Sequence, residues 1–408
     1  MDNKPIVNNS DMNEAHRAHI VRLLNRNGVC SRAELAKLTG LTQASITKIT
    51  AALIEEGILF ETGVIKGSGN RRAIGLQLNS EKNLIIAVKF SRYVYTIGVF
   101  DISGKYYSGS QTEFGMQDDP VDVIKDIKKK IRSCLSKNKN VVAIGMAVPG
   151  PYLKYKGRIA MMSRLSAWNS VNFEEEFKDE FHIPFFIEQD ANAGAMAEWW
   201  FGEHKRPITC LAYMLMGEGV GSGIVSDNKL LLGKQGAASE IGHVSIDING
   251  PRCECGNYGC LELYCSTPVI LQRAKQEIPE IFDENIHTRC DDYNLIFNAA
   301  RNNNEDAKKL MKQVAKYIAY GCVTLINAYN PDIIVIGDVL AQAGDILLPI
   351  IKETVEKRTI PELFSEVEIK FSALPIDPTL YGAAAIATDK VLSRPSDYLT
   401  STADKGGE

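Results

Sequence analysis

The stretch EIGHVSIDINGPRCECGNYGCLE, residues 240–262, carries one histidine and three cysteines, at successive spacings of 10, 2 and 5 residues. The four candidate ligands are His243, Cys253, Cys255 and Cys260. One imidazole and three thiolates form a closed tetrahedral Zn²⁺ site of the structural type, because no position is left for a water. A set of unrelated buried thiols is the alternative. Three cysteines within eight residues, interleaved with glycines, instead favour a metal-binding loop, which is called the knuckle below. Cys265 is near enough to compete as a ligand, although its position favours the core.

Charge is distributed unevenly along the chain. The formal net charge is −4, but residues 1–80 carry +3 and the remaining residues carry −7. Chance alone accounts for such an excess as well as a nucleic-acid partner does, so the charge needs a motif beside it.

That motif lies between residues 16 and 78. Apolar spacing predicts a first helix that ends at Gly28, a second helix capped by Ser31 with Glu34 three residues later, and a third helix capped by Thr42. Leu35 and Leu38 are expected to face the core. The segment after Gly57 alternates apolar and polar residues around a glycine-rich tip, which predicts a two-stranded wing. Together these elements predict a winged helix-turn-helix.

In such a fold the third helix lies in the major groove, and the wing tip offers guanidinium groups to the minor groove. The candidate DNA contacts are Thr42, Gln43, Ser45, Thr47, Lys48, Arg71 and Arg72. Glutamine pairs with an adenine edge, whereas hydroxyls and lysine suit phosphates. A three-helix interaction module with a solvated polar face is the alternative.

The remainder of the chain predicts an α/β body. Short apolar runs such as NLIIAVKF, YTIGVFD, VVAIGMAV, FFIEQ, CLAYMLMG, GSGIVSD and DIIVIGD alternate with helical stretches. No secretory signal or membrane span is expected, and nine cysteines without a signal indicate a reducing, cytoplasmic location. The expected domains are a DNA-binding head at 1–80, a body at 81–395 and a polar tail at 396–408.

These motifs resemble the ROK family of repressors, open reading frames and kinases. The likeness rests on EIGH with GPRCECGNYGCLE, on VPG and EQDANAGAMAE, and on the helix-turn-helix, and it extends over nearly the whole chain. Within the family the zinc loop is most similar to that of the xylose repressors of Gram-positive bacteria. The resemblance implies an actin-like, ribonuclease-H-like body of two lobes, a sugar bound between them, and a homodimer or tetramer.

The resemblance also implies a sugar site. Its residues are Asn169, Asp190, Glu240, His243 and Glu262. Carboxylates and an amide exchange hydrogen bonds with vicinal hydroxyls, and a zinc knuckle would fix His243 and Glu262. Gln189 replaces the family's usual asparagine, so the contacts beside Asp190 are expected to differ.

The nucleotide loops distinguish a regulator from a kinase. ROK kinases have a DxGGT turn that binds ATP phosphates, and the matching positions here are Lys89, Ser91, Arg92 and Tyr93. Glu218 and Asp338 place carboxylates in two further glycine loops. These departures predict that the chain catalyses no reaction and that Asp190 is a sugar ligand.

We therefore expect a sugar-responsive repressor that binds double-stranded operator DNA for a carbohydrate catabolic operon, with xylose or a related sugar as the first candidate effector. A hexose kinase with an added head, a regulator that responds to a protein of the sugar-uptake system, and an activator are the alternatives. The sequence names neither the sugar nor the operator.

Overall fold

The computed structural model describes residues 9–66, 72–115, 117–161, 166–282, 289–375 and 377–399. Two compact units divide the chain. The first comprises residues 1–146, 175–187 and 383–408, and the second comprises residues 147–174 and 188–382.

Three helices and a three-stranded sheet form the N-terminal head. The elements are α1 (Asn9–Asn27), β1 (Cys30–Ser31), α2 (Arg32–Thr39), α3 (Gln43–Glu55), β2 (Leu59–Lys66) and β3 (Arg72–Leu78). The sheet has the order β1-β3-β2, and β3 pairs antiparallel with both neighbours. Ile20, Leu24, Ile46 and Leu53 are almost fully buried, so the helices share one apolar core.

The predicted caps and C-terminal ends of the head helices are confirmed, but α1 begins at Asn9, seven residues before the start at His16 that the apolar spacing indicates. Ser31 and Glu34 form a complete capping box, and the Thr42 hydroxyl accepts a hydrogen bond from the Ser45 amide. Gly40 ends α2 in the left-handed region at φ 72°. The expectation for Leu38 was wrong, because half of its surface is exposed whereas Leu35 is fully buried. The eight-residue helix α2 packs only one side against the core, and Leu38 lies outside that side.

The first five-stranded sheet follows the head. Its part of the chain contains β4 (Leu84–Phe90), β5 (Val94–Asp101), β6 (Tyr106–Glu113), α4 (Pro120–Lys137), β7 (Val141–Val148), β8 (Tyr152–Leu153), β9 (Arg158–Ile159), α5 (Phe173–Phe177) and β10 (Phe185–Gln189). The strand order is β10-β7-β4-β5-β6, with β8 and β9 as a separate hairpin. Burial along β4 and β7 is nearly continuous, whereas β6 at the edge is exposed.

The second five-stranded sheet repeats this topology. Its part of the chain contains α6 (Asp190–Phe201), β11 (Cys210–Met216), β12 (Val220–Ser226), β13 (Lys229–Leu230), α7 (Glu262–Cys265), α8 (Thr267–Glu277), α9 (Arg289–Arg301), α10 (Glu305–Tyr329), β14 (Ile333–Gly337), α11 (Gly344–Glu356), α12 (Pro361–Phe364), β15 (Glu368–Phe371), α13 (Pro378–Ser393) and α14 (Pro395–Tyr398). The order β13-β12-β11-β14-β15 places the first strand of the set in the centre, as in the first sheet. Both sheets are therefore built by the same chain path.

All seven apolar runs predicted as strands form strands, namely β4, β5, β7, β10, β11, β12 and β14. No apolar run predicted β6 or β15, because these edge strands lack a continuous apolar stretch. Among the described residues, no helix combines the length and apolar character needed to cross a membrane.

Candidate functional site

The exposed side of α3 carries most of the candidate DNA contacts. Its buried side holds Ile46, Ile49, Thr50 and Leu53, which fixes the helix against the head. The exposed candidates are Thr42, Gln43, Thr47 and Lys48, while Ser45 is half-buried. This side therefore presents an amide, hydroxyls and one cation to solvent, as a helix in a major groove does.

The three candidate hydroxyls at the start of α3 already have hydrogen bonds. Thr47 Oγ1 donates to the Gln43 carbonyl at 2.8 Å, and the hydroxyls of Thr42 and Ser45 lie 3.0 Å apart. Gln43 and Lys48 are consequently the better candidates for base and phosphate contacts.

The wing is partly described. Arg72 begins β3, is exposed and pairs across the hairpin with Lys66, so two cations lie at its distal end. Arg71 lies outside the described residues, as does the rest of the tip, 67–71. A cationic hairpin end suits contact with phosphates or a narrow minor groove.

Contacts of α1 join the head to the C-terminal helices of the same compact unit. The Arg22 guanidinium donates to Asp389 Oδ1 at 3.0 Å, and the Ser396 amide donates to Glu14 Oε1 at 3.0 Å. Ser396, which the sequence assigns to the tail, is thus bound to the head, whereas residues 400–408 lie outside the described range. The sequence indicated neither contact, because the partners are more than 360 residues apart.

The four candidate metal ligands converge. One donor atom from each of His243, Cys253, Cys255 and Cys260 lies within 4.8 Å of the others. The Sγ atoms of Cys255 and Cys260 are 3.7 Å apart, and Cys253 Sγ is 3.8 Å from His243 Nδ1. Sulfur atoms at the corners of a zinc tetrahedron, each about 2.3 Å from the metal, are separated by about 3.8 Å. The cluster has the donors for a tetrahedral ion, and these two separations match the edge of such a tetrahedron.

The knuckle backbone depends on two glycines in the left-handed region. Gly256 has φ 95° and Gly259 has φ 61°, and a Cβ at Gly259 would collide with the Asp247 carbonyl. Cys265 is fully buried outside the cluster and donates to the Leu261 carbonyl, which agrees with its assignment to the core.

Glu262 lies against the metal cluster. Its Oε1 atom is 3.3 Å from both His243 Nδ1 and Cys253 Sγ. Glu262 begins α7 two residues after Cys260, so the knuckle fixes the position of its carboxylate. The remaining oxygen, Oε2, lies 3.6 Å from where a Cβ of Gly219 would be. The carboxylate thus lies between the cluster and the glycine loop at 217–219.

Glu240 and Asp190 are near Glu262 in the same compact unit. Burial raises the pKa of Glu240 to about 7, and the negative charges of Asp190 and Glu262 add to the rise, while a hydrogen bond from Gln189 opposes it. Asp190 is the first residue of α6, where its Oδ1 accepts from the Ala191 amide at 2.7 Å. Three neighbouring carboxyl groups offer several hydrogen-bond acceptors to a polyhydroxylated ligand.

Gln189, which replaces the family's usual asparagine, changes the contacts beside Asp190 and Glu240. Its Nε2 donates to Glu240 Oε1 at 2.9 Å, and its Oε1 accepts from the Tyr152 amide at 3.3 Å. The side chain also fills the space beside Gly150, where a Cβ would be 2.3 Å from Nε2. Gln189 is therefore a positioning residue for Glu240, and residue types alone do not indicate this contact across 51 residues.

Asn169 is placed less directly. It lies half-buried in a short 3₁₀ segment, Ser166–Ser170, within the same compact unit as the carboxylates. Its role remains a prediction.

Asp338 closes one side of the glycine loop at 217–219. Its backbone has φ 68° and ψ −155°, a region that is almost exclusive to glycine. One carboxylate oxygen accepts from the Val339 amide at 2.8 Å, and the other lies 2.3 Å from where a Cβ of Gly217 would be. A negative charge thus lies directly against this loop.

Comparison with known proteins agrees with this architecture. The ROK family profile matches residues 86–390, and a winged helix-turn-helix DNA-binding profile matches residues 16–59. This chain belongs to the ROK family. The expected combination of a winged helix-turn-helix with an actin-like ROK body is confirmed.

Several relatives that match over nearly the whole chain are named as regulators. A xylose repressor from Caldicellulosiruptor bescii is 28% identical over 396 residues, which are 95% of this chain and 99% of the relative. An N-acetylglucosamine repressor from Escherichia coli O6:H1 is 28% identical over 374 residues, which are 90% of this chain and 91% of the relative. The crystal structure of a ROK family transcriptional regulator, a homologue of the E. coli MLC protein, has a TM-score of 0.76 at 27% identity and covers 94% of this chain and 97% of its own.

Proposed function

We propose that this ROK protein is a sugar-responsive DNA-binding repressor of genes for carbohydrate use. The observation that carries the proposal is the presence, on one chain, of an exposed polar side of α3 and of a carboxylate group beside a His/Cys cluster. The full-length similarity to sugar repressors supports it. The two relatives name different sugars, so D-xylose and N-acetyl-D-glucosamine are the first effectors to test.

In this proposal the head contacts DNA through α3 and the wing. Gln43 would contact a base edge, and Lys48, Thr42 and Thr47 would contact phosphates. Ser45 would serve mainly to hold the first turn of α3, and Arg71 and Arg72 would approach the minor groove.

The sugar would bind at Asp190, Glu240 and Glu262, with Asn169 and His243 as further contacts. Carboxylates accept hydrogen bonds from adjacent hydroxyls, and Gln189 holds Glu240 in place. The His/Cys cluster would hold one structural Zn²⁺ ion, which neutralises thiolates and fixes His243 and Glu262 beside the sugar.

A sugar can release DNA only if it binds the DNA-free form more tightly than the DNA-bound form. A hundredfold loss of DNA affinity requires about 2.7 kcal/mol of difference between the two. We propose that the sugar supplies this difference through the carboxylate group, and that a protein of the uptake system is not needed.

The test is an anisotropy titration against the duplex that the purified protein selects from random sequence. Asp190→Asn and Glu262→Gln should bind this DNA nearly as tightly as the parent but should not release it when D-xylose or N-acetyl-D-glucosamine is added. Glu356→Gln, an exposed glutamate at the end of α11, is the matched control and should release normally. If either site variant releases DNA at the sugar concentration that releases the parent, the assignment of the sugar site to these carboxylates is contradicted and a protein effector is favoured.

We also propose that the body transfers no phosphate from ATP. The Asp338 carboxylate against Gly217 would repel an approaching phosphate, and half-buried Ser91, Arg92 and Tyr93 occupy the turn between β4 and β5. Incubation with Mg·ATP and a panel of hexoses and pentoses should therefore give no sugar-dependent ADP. Turnover at the rate of a sugar kinase, about 1 per second or more, would restore the kinase alternative.

A further inference from the structure

A cavity of about 400 Å³ lies between the winged helix and the first five-stranded sheet. Its walls come from α1 and the wing strands on one side, and from the segment before β4 and the β5–β6 turn on the other. All of these residues lie within 1–146, in one compact unit. The volume is in the range of sites for small molecules.

The cavity has an apolar floor. Leu24 and Leu78 are almost fully buried there, while Phe60 leaves 41% of its surface exposed. An aromatic ring beside two aliphatic side chains offers a flat surface to the C–H groups of a sugar ring. Without a bound molecule, the Phe60 ring is an exposed apolar group with no role in the core.

Two carboxamides line the same cavity with hydrogen-bonding capacity that the described residues leave unused. Neither Oδ1 nor Nδ2 of Asn25 has a hydrogen-bond partner among them, and both atoms are shielded from solvent. The Gln77 carboxamide likewise forms no hydrogen bond with a described residue. Neither amide atom of Asn25 faces the open cavity, so this side chain must rotate to contact a bound molecule, and the rotation breaks no hydrogen bond among the described residues.

Of the charged groups at the rim, Lys105 is paired with Glu81, and the Asp101 carboxylate is satisfied by hydrogen bonds from neutral donors. Lys105 Nζ lies 2.8 Å from Glu81 Oε1, and Asp101 accepts from the Ser103 amide at 2.8 Å and from the Tyr107 hydroxyl at 3.1 Å. This rim offers no excess positive charge to a phosphate or carboxylate. The lining therefore suits a neutral ligand.

We propose that this cavity is a second small-molecule site, which binds a neutral monosaccharide or disaccharide at Asn25, Gln77 and Phe60. The site is separate from the carboxylate group and does not depend on it. A ligand there contacts both the winged helix and the β5–β6 turn, so its affinity responds to the position of the head on this sheet.

The test uses the full-length Asp190→Asn/Glu262→Gln double variant, which lacks the carboxylate site. Saturation-transfer NMR is run with D-xylose, D-glucose, N-acetyl-D-glucosamine and sucrose at millimolar concentration. At least one of these probes should bind saturably, and Asn25→Leu and Gln77→Leu should each weaken its affinity about tenfold or more. Because the Asn25 amide has no partner to lose, Asn25→Leu should not lower the thermal midpoint.

The matched control is Gln111→Leu, an exposed carboxamide on β6 of the same sheet, which should bind as the double variant does. If Asn25→Leu does not fold, Gln77→Leu decides the matter alone. Absence of saturable binding by all four probes, or binding that Gln77→Leu leaves unchanged, would overturn the proposal. Neither result depends on whether the carboxylates bind sugar, because the variant lacks two of them.

Discussion

At the scale of single residues, Asp338 combines an unfavourable backbone with a favourable hydrogen bond. An L-residue at φ 68° and ψ −155° has a strained backbone, and the Val339 amide that its side chain accepts from offsets part of that cost. Asp338→Ala should lose the hydrogen bond and keep the strain, whereas Asp338→Gly should lose the hydrogen bond and relieve the strain. In urea unfolding we expect the alanine variant to be less stable than the glycine variant by about 1–2 kcal/mol.

The same pair of substitutions at Asp122 is the control. Asp122 is exposed in the first turn of α4, where the backbone is helical and alanine is favoured over glycine by up to about 1 kcal/mol. The two sites should therefore rank alanine and glycine in opposite order. Equal stability of the two Asp338 variants would show that the backbone there is not strained.

At the scale of an element, the knuckle at 240–262 couples a metal site to a sugar contact. Its four ligands lie on an irregular segment that turn-type backbone hydrogen bonds hold in place, such as that from the Cys253 amide to the Asn257 carbonyl at 2.8 Å. Glu262 follows directly from this segment into α7. A cation bound by the three thiolates would compensate the negative charge that burial disfavours, since burial raises the pKa of Cys253 in this cluster. The order of this segment should therefore depend on the metal.

We expect about one zinc per chain in the purified protein and a large loss of zinc in Cys253→Ser, with loss of the sugar-induced release of DNA. Elemental analysis and anisotropy measure the two effects. Cys134→Ser is the control, because Cys134 is a half-buried thiol on α4 outside the cluster. Zinc at well under one equivalent in intact parent protein would contradict the assignment.

At the scale of the whole molecule, one head offers too few base contacts for a selective operator. A single recognition helix and wing read only a few base pairs, so useful specificity requires two heads on one DNA, and we propose that the protein acts as a homodimer or a tetramer. Footprinting of the selected duplex should reveal an inverted repeat whose half-sites are separated by about 10 base pairs or a multiple of it. One protected half-site bound by one chain would contradict this.

The sequence alone determined the parts of this protein that depend on residues close together in the chain. The Ser31 capping box, the Thr42 cap and the ends of the head helices were predictable, because each motif is complete within a few residues. The zinc-type cluster was predictable for a similar reason, since its cysteines fall within eight residues of a glycine-rich loop. Apolar runs identified the buried strands, but not edge strands such as β6, whose side chains are exposed.

Only the tertiary structure decided which distant residues meet. Gln189 reaches Glu240 across 51 residues, and Arg22 reaches Asp389 across 367. The contact of Asp338 with Gly217 likewise depends on β11 and β14 pairing side by side in the second sheet. Residue types do not specify such pairings, because many side chains could form the same hydrogen bonds and packing of the sheets selects among them. The cavity beside Phe60 has the same origin, since its walls are separate segments that the fold brings together.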